Sequence, residues 1–517
     1  MTSVKEDVGL PEVSRRSFLA GAAVGLAGVL GPFSVVACTK QEEETVLGAA
    51  ASTDVPPTGI GSTGSRATLP AVNIKRVGDP AILNAAGQMD AVKFVTDLTK
   101  DELDAMLIDE AEVTEDFTTN SGKVVPAVYL ALRNRINRIG MGIGAGVAGE
   151  SEWDMLMSIW SEEDAAHELE MPLNKWFNAT DYAFVSGRSE KESREICDSL
   201  ADRALIWRIR RGGIPHYAVA PQLPGYWENH QLLLVARGEV EKAAKFAADC
   251  DLAFANGRQF ATSIHRWVTH FFPIGKDVVK GEMFPYDDWE AMLQRHEVFS
   301  VMPCQCRQKR DLLGIRAEGC TEDVHPLETC TSYGELAQFY IEIGIARELT
   351  REEAIAQVKD NISHGLALEG PRSMAGGTFC ACHHDCCLVM ATINRSPEPP
   401  NIMPTISAYT LEYDKDACIK CYACVERCTM GALSTGEDGL VASNGFCISC
   451  GHCVKTCPAQ ARILVPKDVS ETFEIQQDAF ADSLELARIR MAQGRIRDFT
   501  GDIDAVFFEP EEIAAGK

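Results

Sequence analysis

The sequence is poor in basic residues: 49 lysines and arginines stand against 75 aspartates and glutamates, a formal net charge of −26. An acidic protein repels DNA, RNA and anionic lipid, so we expect none of these as its main partner. After residue 37 the sequence also lacks a segment apolar enough to span a bilayer. Its 46% hydrophobic and 24% charged residues are ordinary for a globular chain, and its length suits about two to four domains.

Cysteine is nearly absent outside two regions. Of the 19 cysteines, eight lie within 304–387 and eight within 418–457, while Cys38, Cys197 and Cys250 stand apart. Disulfide scaffolds belong to short secreted domains, so clustered cysteine in a chain of 517 residues favours metal binding.

Residues 1–38 have the pattern of an export signal. The pair Arg15-Arg16 precedes an apolar stretch rich in glycine and alanine. This arrangement resembles a twin-arginine signal, with Ala20 in place of the lysine usual in that family. The resemblance implies export of a protein already folded around its cofactors. A plain membrane anchor is the alternative, which the glycine content disfavours.

The apolar stretch ends in VVAC, which resembles a lipobox. Lipidation of Cys38 would tether the protein by its N-terminus to the outer face of the cytoplasmic membrane; without it the protein would be periplasmic. Residues 39–70 are small, polar and rich in proline and glycine, so they predict a flexible linker.

Residues 71–290 predict a mostly helical region. Within about 165–235, Ser189 and Glu192 mark a helix start, and RIRRGGIPHY predicts a hairpin after it. A helix followed by such a wing resembles a winged helix, which we interpret as a packing or docking scaffold in an acidic, exported chain. GAGVAG at 144–149 follows a helical pattern rather than a strand, so a loop is favoured over nucleotide binding.

Residues 405–465 contain a duplicated cysteine motif. CIKCYACVERC at 418–428 and CISCGHCVKTC at 447–457 share the spacing C-x2-C-x2-C-x3-C. The pair resembles the bacterial two-cluster ferredoxin domain, a small duplicated βαβ fold. The resemblance implies two [4Fe-4S] clusters, with the last cysteine of each motif bound to the other cluster. The two ligand sets are Cys418, Cys421, Cys424 and Cys457, and Cys447, Cys450, Cys453 and Cys428.

Residues 291–400 form a second cysteine-rich module. Two C-x-C pairs cannot each share one helix face, so we expect them on turns or extended segments. One or two further iron–sulfur clusters are predicted; the alternatives are zinc, with His383 and His384 widening the ligand choice, and disulfides. The candidate metal ligands are Cys304, Cys306, Cys320, Cys330, Cys380, Cys382, Cys386 and Cys387.

Three residues of this module are candidates for catalysis: Cys382, Cys386 and Arg307. The vicinal pair Cys386-Cys387 is also a candidate redox-active dithiol. Arg307 would stabilise a reduced cluster or an anionic substrate, with a surface arginine as the alternative.

The predicted fold class is α+β with several domains and a helical tail at 466–517. The layout over about 160–460 resembles an uncharacterised group of iron–sulfur proteins of anaerobes. We expect an extracytoplasmic oxidoreductase or electron-transfer component that passes single electrons between the ferredoxin clusters and the central module. The alternatives are a terminal reductase, similar to corrinoid-dependent reductive dehalogenases, and a non-catalytic subunit of a membrane complex. The expected partners are a redox protein, a membrane-bound one included, and, for a reductase, a small-molecule substrate.

Overall fold

The fold of this chain is given by a computed structural model, and all of the described residues lie within 67–517. They mix helices and sheets, as predicted. The export signal, the linker, the GAGVAG segment and most of the predicted helical tail lie outside them. Among the described helices, none has the length and apolarity needed to cross a membrane. The described residues are 75–76, 113–119, 122–136, 150–173, 175–221, 225–256, 269–372, 377–394, 406–469 and 474–475.

The first part of the chain is helical, with short strand pairs between the helices. Several of its helices begin at polar caps; Ser161, for example, accepts the N–H of Asp164, whose carboxylate accepts the N–H of Ser161 in return. The elements are β1 (Lys75–Arg76), β2 (Phe117–Thr118), β3 (Val124–Val125), α1 (Ala127–Ile136), α2 (Glu150–Ile159), α3 (Glu162–Glu170), α4 (Ala179–Ser186), α5 (Glu190–Asp202), β4 (Ile206–Arg211), β5 (Ile214–Val219), α6 (Trp227–Ala236) and α7 (Val240–Asn256).

The predicted helix and hairpin are both present. Ser189 caps α5 by accepting the N–H of Glu192 at 3.2 Å, and β4 and β5 pair in register on either side of a two-residue turn. That turn is Gly212-Gly213, with φ of +56° and +81°, values that only glycine adopts freely and that match a type I′ hairpin. Phe177 adds an antiparallel bridge to β5.

The hairpin packs against the rest of the protein through its arginines. Arg208 is 6% exposed and lies 3.1 Å from Glu342 and 2.8 Å from Asp202. Arg210 also contacts Glu342, at 2.9 Å. These ion pairs fasten the hairpin to the helix that carries Glu342, which supports our interpretation of this segment as a packing scaffold.

A six-stranded sheet forms the centre of the molecule. All of its neighbouring strands are antiparallel, in the order β6-β10-β11-β8-β7-β9. The elements are β6 (His270–Phe272), α8 (Trp289–Leu293), β7 (Phe299–Pro303), α9 (Gln305–Leu313), β8 (Glu328–Tyr333), α10 (Glu335–Glu342), β9 (Arg347–Leu349), α11 (Arg351–Ser363), β10 (Ala367–Gly370), β11 (Thr378–Cys382) and α12 (Leu388–Asn394), with 3₁₀ turns at Lys276–Val278 and Pro285–Asp287.

The helical region and the central module share one apolar cluster. It runs from Phe117 and Trp153 in the first part of the chain to Met302, Cys304 and Leu388 in the second. Packing is therefore continuous across residue 291, and the helices form one wall of the cysteine-rich site.

The C-terminal part of the chain repeats a βαβ unit, as predicted. Strand β12 pairs with β15 and β13 pairs with β14, both antiparallel. The elements are β12 (Tyr409–Tyr413), α13 (Ala423–Glu426), β13 (Leu433–Thr435), β14 (Val441–Ser443), α14 (His452–Lys455), β15 (Arg462–Pro466) and β16 (Glu474–Ile475).

The prediction of a helical tail from 466 onward is wrong for the residues that the structure describes there. Glu474 and Ile475 form β16, which pairs with β1. Ile475 is fully buried in the core of the sheet region, so burial and pairing with a distant strand override the local helical pattern. Residues 476–517 lie outside the described part of the chain.

Candidate metal centres

Six cysteines of the central module meet where the sheet gives way to helices. Strand β7 ends at Pro303, and Cys304 occupies the position just before α9. Cys306 lies in the first turn of that helix. Cys330 is on β8, and its partner across the sheet is Met302 on β7. The remaining three are Cys380 and Cys382 on β11 and Cys387 immediately before α12.

The six sulfurs form a closed ring in which each interacts with two neighbours. The order is Cys304, Cys306, Cys387, Cys382, Cys380, Cys330 and back to Cys304. We call this set the six-thiol ring.

Neighbouring thiols of the six-thiol ring share protons. The shared hydrogen bonds lower the pKa of Cys304, Cys380 and Cys387. They raise the pKa of the three thiols between them: Cys306, Cys330 and Cys382. Six sulfurs that converge in this way are soft ligands, which suit a cationic metal centre.

The expectation for the C-x-C pairs is largely confirmed. Cys304 has extended backbone angles, φ −68° and ψ 113°, and Cys380 and Cys382 lie on a strand, where residues two apart point to the same face. Cys306 is the exception, because it already belongs to α9. All 18 cysteines in the described ranges are free, so the disulfide alternative has no support there.

The other two cysteines of the module belong to a separate group. Cys320 Sγ lies 3.8 Å from Cys386 Sγ and 3.2 Å from His325 Nδ1. His325 Nδ1 is in turn 3.5 Å from Asp385 Oδ2. One ligand atom from each of the four residues lies within 4.8 Å of every other. We call this group the Cys₂HisAsp cluster.

The histidine beside the thiols is His325, not His383 or His384. His383 Nδ1 lies 2.9 Å from Asp385 Oδ1, and His384 contacts the carbonyl of Thr429 at 2.8 Å. His325 was not among the predicted ligands, although its C-x4-H spacing from Cys320 is a usable indication. The vicinal pair Cys386-Cys387 is likewise divided, because one thiol belongs to each group.

Arg307 is buried between the two groups, which excludes the surface alternative: its exposed fraction is 0%. Its guanidinium donates to the Pro326 carbonyl at 2.9 Å, to Thr329 Oγ1 at 2.7 Å and to the Ala381 carbonyl at 2.8 Å. Burial lowers the pKa of Arg307, but the thiolates of both groups outweigh burial and raise it. The permanent charge of Arg307 therefore stabilises a thiolate-rich centre.

Two carboxyls beside the six-thiol ring were not predicted: Glu369, which is buried, and Glu228, which is half-buried. Glu369 on β10 faces Cys380 across the sheet, lies near Cys382 and Cys387 and is hydrogen-bonded to Thr269. Burial and the adjacent thiolates raise its pKa well above the usual range. Burial also raises the pKa of Glu228 to about 8. Both groups can hold a proton next to the ring.

The ferredoxin region brings each predicted ligand set to its own cavity. Cys418, Cys421, Cys424 and Cys457 line one small cavity together with Tyr413 and Arg462. Cys428, Cys447, Cys450 and Cys453 line another, with Met430 and Ile448. We call these the outer and inner thiol cavities, because Cys421 in the first set is exposed whereas Cys453 in the second is buried.

The backbone around the two cavities follows the 29-residue offset of the duplicated motif. The N–H of Ala432 points to Cys428 Sγ at 3.2 Å, and the N–H of Ala461 points to Cys457 Sγ at 3.3 Å. Left-handed residues recur at matching positions: Lys420 and Ser449, Tyr422 and Gly451, Gly431 and Gln460. Such turns aim amides at an anionic group, and together with four converging thiols they fit a [4Fe-4S] cluster in each cavity.

Apolar packing connects the outer cavity, the inner cavity and the six-thiol ring. One small apolar cluster contains Cys424 of the outer cavity and Cys453 of the inner cavity. A second contains Cys382 and Cys387 of the ring, and Cys428 and Cys450 of the inner cavity pack against that cluster. The inner cavity therefore lies between the outer cavity and the six-thiol ring.

Hydrogen bonds secure the same junction. Thr429 donates to the Gly365 carbonyl at 2.9 Å, and His452 lies 2.9 Å from the Leu366 carbonyl. The contact from His384 to Thr429 joins the two cysteine-rich modules from the other side.

Comparison with known proteins identifies part of this arrangement. Residues 411–434, which include the first cysteine motif, match the family of 4Fe-4S binding domains. The chain is also 35% identical over 60 residues to the B subunit of polysulfide reductase from Wolinella succinogenes, a stretch that covers 11% of this chain and 31% of that protein. No solved structure matches the chain. The protein thus contains a ferredoxin-type 4Fe-4S domain near its C-terminus, as predicted.

Proposed function

We propose that this protein is an iron–sulfur electron-transfer component of an oxidoreductase. Its ferredoxin region would hold two [4Fe-4S] clusters, in the outer and inner thiol cavities, and the six-thiol ring would hold a further iron–sulfur centre. Clusters of this kind exchange one electron at a time. The observation that carries the proposal is the unbroken order of thiol groups from the exposed outer cavity, through the inner cavity, to the buried ring.

The chain supplies the ligands and the charge balance that such centres need. Burial raises the pKa of Cys450 to about 12, so its thiolate is favoured only when a metal ion compensates for lost solvation. At the ring, three thiols already have a lowered pKa, and Arg307 lies beside them as a fixed positive charge. These features favour bound iron over an unmetallated dithiol.

The outer cavity is the expected point of electron exchange with a partner. Cys421 is exposed, whereas Cys382 and Cys387 in the ring are buried. A redox protein, whether at the membrane or in solution, would therefore dock near the outer cavity. The similarity to the B subunit of polysulfide reductase supports a role as one subunit of a redox complex.

An order-of-transfer experiment tests this proposal. A small reduced ferredoxin is mixed anaerobically with the oxidised protein, and the EPR spectrum of the ring centre is followed by rapid freezing. In the Cys450→Ala variant the ring centre should become reduced at least tenfold more slowly than in wild type, because the inner cluster is incomplete. Cys250→Ala, at a buried cysteine outside all three groups, serves as the control. Equal rates in wild type and Cys450→Ala would refute the relay.

The buried carboxyl of Glu369 favours a more specific form of this function, in which the protein is a reductase and the ring centre is the site that reduces the substrate. Glu369 can supply a proton when the centre takes up an electron, as reductions of small molecules require. The reduction potential of the ring centre should then fall by about 59 mV per pH unit, and Glu369→Gln should abolish that slope. A slope of zero in wild type would favour a purely electron-transferring subunit.

We further propose that the protein is exported by the twin-arginine pathway and anchored at Cys38. The support is the Arg15-Arg16 pair, the apolar stretch and the VVAC sequence. Mass spectrometry of the mature N-terminus should find a diacylated Cys38. An N-terminus that retains residues 1–37 would contradict the proposal.

A further inference from the structure

The Cys₂HisAsp cluster is chemically distinct from the six-thiol ring. Two of its donors are thiols, one is an imidazole and one is a carboxylate, whereas the ring offers only thiols. Cys320 and Cys386 are 2% and 1% exposed, and His325 is 6% exposed. A mixed set of this kind is the donor chemistry of a mononuclear divalent metal rather than of a cubane.

The distances fit a tetrahedron. With Zn–S bonds of about 2.3 Å and Zn–N bonds of about 2.0 Å, two sulfurs lie about 3.8 Å apart, and a sulfur and a nitrogen about 3.5 Å apart. The observed separations are 3.8 Å between the two sulfurs and 3.2 Å between Cys320 Sγ and His325 Nδ1. The nitrogen-to-carboxylate distance, 3.5 Å from His325 to Asp385, agrees with an edge of about 3.3 Å.

The geometry also excludes a catalytic triad. In a Cys–His–Asp triad the thiol and the carboxylate contact opposite nitrogens of the imidazole. Here Cys320 and Asp385 both face the same nitrogen, Nδ1 of His325. Two donors that approach the same imidazole nitrogen are placed to bind one metal ion together with it.

The surrounding structure supplies the outer contacts expected of a metal site. The second oxygen of Asp385 lies 2.9 Å from His383 Nδ1, which orients the carboxylate. Arg316 donates to the His325 carbonyl at 2.7 Å, and Arg310 donates to the Cys386 carbonyl at 3.2 Å. These positive charges offset the excess negative charge of two thiolates and a carboxylate.

The cluster has a structural task that a metal would perform. Cys320 and His325 lie in the loop 314–327, which has no helix or strand of its own. Asp385 and Cys386 lie in the turn that leads to Cys387 of the six-thiol ring. An ion bound by all four residues would join the loop to that turn and so fix the position of a ring ligand.

We propose that Cys320, His325, Asp385 and Cys386 bind one zinc ion, separate from every iron–sulfur centre of the protein. The eight cysteines of the central module would then divide into six ligands for iron and two for zinc. This inference does not depend on the proposed electron relay.

Metal analysis of the anaerobically purified full chain tests the zinc site. Wild type should contain one equivalent of zinc with two sulfur neighbours at about 2.3 Å by X-ray absorption. Cys320→Ser and His325→Ala should lose the zinc while the ferredoxin EPR signals and the iron content stay unchanged. Cys197→Ala and His216→Ala are matched controls, because they change a buried cysteine and a histidine of β5 that lie outside the cluster and its loop, and both should keep the zinc.

A milder variant covers the case in which loss of zinc prevents folding. Asp385→Asn keeps three ligands and should release zinc to a chromophoric chelator at least tenfold faster than wild type. The proposal is overturned if zinc-supplemented wild type contains no zinc, if the bound mononuclear metal is iron, or if Cys320→Ser loses iron of a cluster rather than zinc.

Discussion

At the scale of single residues, Arg307 is the most informative side chain. It is fully buried, and its guanidinium makes three hydrogen bonds next to both central groups of thiols. Arg307→Gln should lower the reduction potential of the ring centre, because a positive charge that favours the reduced state is removed. It should also cost about 3 kcal/mol of stability, about 1 kcal/mol for each hydrogen bond.

An EPR-monitored redox titration checks the effect of Arg307→Gln on the potential. The ferredoxin clusters should keep their potentials, which separates a local charge effect from general damage. Arg347→Gln is the control, since Arg347 is 55% exposed and pairs only at the surface with Glu328. An unchanged ring potential in Arg307→Gln would contradict this role.

Glu168 provides a pH-dependent prediction. It is buried, accepts a hydrogen bond from Trp160 Nε1 at 2.7 Å, and burial raises its pKa to about 8 from 4.5. The folded protein therefore binds this proton more tightly than the unfolded chain does. The proton on Glu168 contributes fully to the free energy of unfolding below pH 4.5, and this contribution is lost as the pH rises to about 8. The loss is at most about 1.4 kcal/mol per pH unit.

The Glu168→Gln variant tests the direction of this pH dependence, because a glutamine side chain cannot ionise. Its melting temperature relative to wild type should rise steadily between about pH 5 and pH 8. Glu163→Gln, at an exposed position on the same helix, should show no such trend. A difference between Glu168→Gln and wild type that does not change with pH would show that Glu168 titrates normally.

The residue scale also shows what the sequence can and cannot predict. The spacing, together with the resemblance to the two-cluster ferredoxin domain, was enough to sort the eight ferredoxin cysteines into the two sets that line the two cavities. It could not show that Cys386 and Cys387 separate, or that His325 joins Cys320, because these contacts depend on how the loop 314–327 lies over the turn at 383–387. Nothing periodic in the sequence encodes such a loop contact.

At the scale of elements, the junction between the inner cavity and the sheet depends on one glycine. Gly451 has φ +90°, and a Cβ there would lie 2.5 Å from Val278 Cγ2. Gly451→Ala should therefore cost more than the roughly 1 kcal/mol of a left-handed alanine, and the inner cluster should be lost first.

A second glycine gives the matched control for that variant. Gly445 has φ +88°, and no other atom lies within 4 Å of the place that an added methyl group would take, so Gly445→Ala carries the backbone cost alone. Iron content and melting temperature are measured for both. If the two variants behave alike, the contact between Gly451 and Val278 does not support the inner cavity.

Elements with their own local chemistry were predictable. The hairpin of β4 and β5 follows from two adjacent glycines, and α5 follows from its serine cap. The strand β16 was not predictable from the sequence, because its partner β1 lies near the other end of the described chain. Only the burial of Ile475 explains this pairing.

At the scale of the whole molecule, the thiol groups follow one another from the exposed outer cavity to the buried six-thiol ring. The sequence predicts two cysteine-rich modules but not their order in space. The order arises from apolar packing, because the inner cavity shares one apolar cluster with the outer cavity and another with the six-thiol ring. The proposed relay would therefore depend on tertiary structure, and the central claim of the proposal is that the ring binds iron.

Iron and acid-labile sulfide counting on anaerobically purified protein tests that claim most directly. Wild type should contain about twelve iron ions, four in each of three clusters. The triple variant Cys380→Ala, Cys382→Ala, Cys387→Ala leaves the ring three thiols, one fewer than a [4Fe-4S] cluster binds, and should contain about eight iron ions, with its ferredoxin EPR signals unchanged. Cys197→Ala should match wild type. About eight iron ions in both wild type and the triple variant would show that the six-thiol ring binds no cluster and would contradict the account.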